Sequence, residues 1–75
     1  MTFWVNVDKP TKSCVVHREG CRYEQDKSET PLKGINELKR DGGWLFFASL
    51  EEAEDYGRRE WETRGYILRR GGCCL

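Results

Sequence analysis

The sequence predicts an α+β domain, a small antiparallel sheet of three or four strands with one main helix packed across it. Three observations carry that prediction. Residues Gly43 to Tyr56 hold the densest apolar run of the chain and, directly after it, the clearest helix start. Two short runs rich in β-branched and aromatic residues stand ahead of it, separated by turn residues. The length, 75 residues, admits one core and no second layer, because a chain of this size buries only about 60% of its unfolded surface.

Phe3-Trp4-Val5-Asn6-Val7 is the first strand, with Phe3, Val5 and Val7 on one face and Trp4 and Asn6 on the other. Asp8-Lys9-Pro10-Thr11-Lys12 has turn chemistry: Pro10 pre-sets φ and Asp8 bonds its own backbone two residues on. Ser13-Cys14-Val15-Val16-His17 returns as the second strand of a hairpin, with Val15 and His17 on one side and Cys14 and Val16 on the other. From Arg18 to Thr30 the chain is polar and has neither period, which predicts a long surface loop, and loops of that length tend to carry function. Ile35 to Lys39 reads as one or two helical turns, with Ile35 and Leu38 inward. Asp41-Gly42-Gly43 is a turn that hands the chain to a third strand, Trp44 to Phe47.

Ser49, followed three residues later by Glu52, forms a capping box in which the serine oxygen takes an orphan backbone N–H. The acidic Glu51, Glu52, Glu54 and Asp55 then sit where the helix dipole favours negative charge. Leu50, Ala53, Tyr56, Gly57 and Trp61 recur at steps of three and four and make the buried stripe, while Arg58, Arg59 and Glu62 face water. Gly65 is the expected left-handed residue behind the helix. Tyr66 to Arg70 is a last strand, and residues 71–75 form a flexible tail of the single 1–75 domain.

Lys and Arg number 13, as do Asp and Glu. No global field therefore draws the chain to nucleic acid or an anionic membrane, and such binding needs a local patch. No apolar run approaches the roughly 20 residues that span a bilayer, and Met1 to Val5 lack the pattern of a secretory leader. Gly72, not a cysteine, stands fourth from the end, which excludes a prenylation box. The expectation is a soluble, cytoplasmic protein.

In a reducing compartment, four cysteines point to free thiols or metal ligands before disulfides. His17 and Cys21 form His-x3-Cys, and with Cys73 and Cys74 they make a candidate tetrahedral zinc set if the last strand lies beside the second. Adjacent cysteines on an extended chain point opposite ways, so that set needs a sharp bend at the tail. The plainer alternative needs no cofactor: His17 caps a strand end, Cys21 fills a small apolar gap and the tail frays. A Cys21 disulfide to the tail is a third.

His17-Arg18-Glu19-Gly20-Cys21-Arg22-Tyr23, Trp44 to Ala53 with its Phe-x-Ser-x-x-Glu-Ala step, and Gly65-Tyr66 before a cysteine-bearing end together resemble small prokaryotic and phage modules. Those modules carry His-x3-Cys-x-Tyr and a terminal Cys-x2-Cys, and some are similar to the metal-binding domain of the Ada DNA-repair protein. The resemblance implies that His17 and Cys21 are ligands. In place of the terminal Cys-x2-Cys stands Cys73-Cys74, with Arg70 or Gly71 where the first cysteine would be.

Catalysis is not expected. A Cys21–His17 pair lacks any signature of an orienting group or oxyanion site, and so short a chain has little room for a substrate pocket. The sequence therefore points to a binding module. Its first reading is a protein-binding adaptor or inhibitor, presenting Trp4, Tyr23, Arg18 and Arg22 as interface anchors or offering a sheet edge to a partner strand. Its second is nucleic-acid binding, with or without a structural zinc, in which Lys39 and Arg40 lie beside the Gly42-Gly43 turn, Arg69 and Arg70 on the tail, and Trp4 and Tyr23 serve as stacking surfaces.

Overall fold

Val5, Val7, Val16 and Cys14 are completely buried, and the fold is arranged around that strip of the sheet. The computed structural model describes residues 2–20 and 33–71. In chain order its elements are β1 (Phe3–Asp8), β2 (Ser13–Arg18), β3 (Gly34–Ile35), β4 (Gly42–Phe47), the helix α1 (Leu50–Glu60), a 3-10 turn (Glu62–Arg64) and β5 (Ile67–Arg70). The five strands form one sheet in the order β3-β4-β1-β2-β5. The α+β class is as the sequence predicts, with one strand more than the upper expectation.

β1 pairs antiparallel with both β2 and β4, so Val5 lies between Val16 and Leu45, and Trp4 between His17 and Phe46. The alternation read from the sequence holds. Phe3, Val5, Val7, Cys14 and Val16 share the face that α1 covers, and Ala53 and Trp61 reach down to them. Each fully buried valine contributes roughly 1.5–3 kcal/mol over its exposed state.

The sheet is mixed rather than antiparallel. β5 pairs parallel with β2, and β3 parallel with β4. For β5 the cause is α1: the helix carries the chain back to the end where β4 began, so the strand after it must run in the same direction as β4. It then lands beyond β1 and β2, at the edge.

The helix predicted for Ile35 to Lys39 does not form. Ile35 belongs to β3 and Asn36 takes φ 57. The Asn36 N–H donates to the Trp44 carbonyl at 2.7 Å, and its Oδ1 accepts the Phe46 N–H at 3.3 Å. These bonds pull the segment onto β4 as an edge. Gly42 and Gly43 are not the turn ahead of the strand but its first two residues. They allow close backbone approach, since a Cβ at Gly43 would overlap the Glu37 carbonyl oxygen and one at Gly42 that of Val7.

The helix start is as the capping pattern predicts. Ser49 is extended at φ −143, ψ 157, and its Oγ accepts the Glu52 N–H at 3.1 Å. Ala53, Gly57 and Trp61 are buried along one stripe. The helix ends at Glu60, short of Gly65, because the chain tightens into the 3-10 turn; Gly65 then takes φ 89. Tyr56 and Trp61 are joined by an indole N–H donated to the phenol oxygen at 3.0 Å.

Candidate functional site

The sequence-predicted contact residues among the described ones do not converge. Trp4 and Arg18 lie at the end of the sheet where β1 begins, since Trp4 pairs with His17 and Phe3 with Arg18. Lys39 and Arg40 lie at the other end, where Lys39 bridges to Gly42 opposite Asp8. Arg18 and Arg40 are exposed, and the Lys39 ammonium sits 3.6 Å from the Glu37 carboxylate. Trp4 corrects an expectation: it is 8% exposed, buried rather than available for stacking. Its ring stands edge-on to Phe46, with centroids 5.4 Å apart. Arg22, Tyr23, Cys21, Cys73 and Cys74 fall outside the described residues.

His17 is buried at 6% exposure on the face opposite α1. Its ring lies against Trp44, at 5.3 Å and 36°, although β1 separates their strands. Both side chains lean over β1 to meet, so this face has an aromatic cluster of its own. Among the described residues no three His, Cys, Asp or Glu side chains stand close enough together to hold a metal ion.

Cys14, the one described cysteine, sits on the helix-covered face with its thiol pushed up to about 12 by burial. A thiol held protonated beneath a helix is a packing group, not a nucleophile. A surface depression along the start of α1 is lined by Ser49, Glu51, Glu52, Asp55 and Arg58. All five belong to α1 or its cap, so among the described residues it is one polar helix face.

The arrangement most able to do chemistry with another molecule is β5. The Ile67 N–H donates to the Lys12 carbonyl at 3.0 Å, and the Gly71 N–H to that of Val16 at 2.8 Å. In a strand the backbone groups alternate sides, so Ile67, Arg69 and Gly71 face β2 while the N–H and C=O of Leu68 and Arg70 face outward. Among the described residues no strand pairs with that outer edge. The strand is nonetheless held. Leu68 packs into the core cluster, and the Arg70 guanidinium donates two hydrogen bonds to the Glu54 carboxylate of α1, at 2.6 and 3.1 Å.

The last strand expected over Tyr66 to Arg70 forms as β5, Ile67–Arg70, and an exposed sheet edge is expected from the sequence without a location. The strand-helix-strand order from Trp44 to Arg70 is a signal for the direction of β5, parallel to β4, while its place at the edge beyond β2 is not written in that order. The chain matches no protein-family model, no curated protein and no solved structure, so the likeness to the Ada-type modules rests on the residues quoted for it.

Proposed function

We propose that this chain is a non-enzymatic binding module whose partner is a protein, engaged by strand addition at the outer edge of β5. One observation carries the reading: a strand fixed from behind by Leu68 and the Arg70–Glu54 pair presents, on its other side, backbone donors and acceptors that no strand among the described residues pairs with. Backbone pairing gives such an edge its affinity and leaves selectivity to side chains. An adaptor or inhibitor can work in this way with no pocket.

The reading is tested by removing one hydrogen-bond donor without disturbing the fold. Replacing the Leu68 amide by an ester, through chemical ligation, deletes an outward N–H and keeps the side chain. Protein captured from a lysate by the native chain is then lost with the ester chain. Equal capture by both would refute docking at this edge.

A further inference from the structure

Resting on that reading, we infer that the segment added to β5 is an extended, acidic one, carrying a carboxylate two residues from an apolar side chain on the same face. The side chains at the edge set this chemistry. Ile67 is 62% exposed, more than Phe46 or Leu38. It shares the helix-free face with Arg69, because their register partners Ser13 and Val15 lie there with Asn6 and His17.

Arg69 is exposed and enters no ion pair among the described residues, and the same holds for Lys12, whose carbonyl receives Ile67. Arg70 is already neutralised by Glu54. Among the described residues the edge strand is therefore left with one uncompensated cation, Arg69, on the same face as one apolar side chain, Ile67, and Lys12 lies in the turn whose carbonyl receives the Ile67 N–H. A carboxylate opposite Arg69 would accept charge-assisted hydrogen bonds from the guanidinium. An apolar residue opposite Ile67 would cover it.

A second copy is the poorer occupant. If β5 paired with itself antiparallel about Leu68, whose backbone faces outward, each Ile67 would oppose an Arg69 of the other copy. The two Arg69 side chains would then be diagonal neighbours, about 7–8 Å apart, and like charges at such sites repel. Exposed charge is a common defence of sheet edges against self-pairing. Here the same arginine selects an acidic strand.

The test uses the full chain and three synthetic octapeptides of alternating pattern, Val-x-Glu, Val-x-Lys and Val-x-Ser, titrated at low salt. The Glu peptide is expected to bind at least about tenfold more tightly than the Lys peptide. The preference should vanish in Arg69→Gln and reverse in Arg69→Glu, both exposed substitutions checked for folding by circular dichroism. The Leu68 ester should weaken binding of every peptide. Ester-sensitive binding without preference for Glu overturns the acidic partner and leaves the edge reading standing. No binding by any peptide, or binding that the ester leaves unchanged, overturns both.

Discussion

Arg70 of β5 grips Glu54 of α1 with two hydrogen bonds, its Nε 2.6 Å from one carboxylate oxygen and its terminal nitrogen 3.1 Å from the other. This pair and the Leu68 side chain fasten the edge strand to the helix. Its acid response follows. The Arg70 hydrogen bond first, and the charges of Arg70 and Arg58 with it, hold the Glu54 carboxyl below its ordinary 4.5, against the opposing effect of burial. A carboxyl with a lowered folded-state value stabilises above 4.5, and that contribution is lost as pH falls through the lowered value. Urea midpoints between pH 6 and pH 3 should therefore fall less steeply for Glu54→Gln than for the native chain. An identical acid limb would show that the pair does not fasten β5.

Cys14 shifts the other way. Burial raises its thiol to about 12, so stability is intact below the ordinary 9.0 and declines as pH rises from there toward 12. At neutral pH an alkylating reagent followed by peptide mapping should leave Cys14 unlabelled in the native protein and label it in denaturant. Native labelling at the rate of a free thiol would contradict its place beneath α1.

Gly43→Ala should be costly, because the new Cβ meets rigid backbone: it overlaps the Glu37 carbonyl oxygen and comes within 2.9 Å of that of Gly34. Overpacking of this kind costs about 1–3 kcal/mol. For a domain of this size that is a fall of roughly 4–8 °C per kcal/mol in melting temperature. Gly65→Ala has open space but a left-handed backbone, φ 89, so its cost is strain alone and should be smaller, about 1–2 kcal/mol. Equal melting temperatures for native and Gly43→Ala would contradict the close packing of β3 on β4.

The His17 ring packs against Trp44 on the helix-free face. His17→Ala should lose about 2–4 kcal/mol, as large-to-small substitutions at buried sites do, read as a lower melting temperature. A chelator should leave the melting temperature of the native chain unchanged. A fall on chelation would instead make His17 a metal ligand, as its His-x3-Cys spacing to Cys21 suggests.

The elements readable from the sequence were those set by local chemistry. Ser49 capped the helix where its spacing to Glu52 put it, the period of two in Phe3 to Val7 and Ser13 to His17 sorted the faces, and Gly65 took its left-handed turn. What the sequence hid was set by distant contacts. Ile35 and Leu38 have helical spacing, but Asn36 bonds to both Trp44 and Phe46, and that outweighs a weak helical preference. Trp4 looked exposed because its strand neighbour Asn6 is polar. Its burial comes from a second aromatic cluster that only the register β4-β1-β2 brings together. Arg70 falls on the last strand as the sequence predicts, but its ion pair was hidden, since its partner Glu54 is 16 residues away in sequence.

Amide hydrogen exchange along β5 measures the central claim most directly. In the free protein, the Ile67, Arg69 and Gly71 amides should exchange slowly, being bonded to β2, and the Leu68 and Arg70 amides between them quickly. Protection of Leu68 and Arg70 equal to that of their neighbours, with no partner added, would show the edge already occupied and contradict the account.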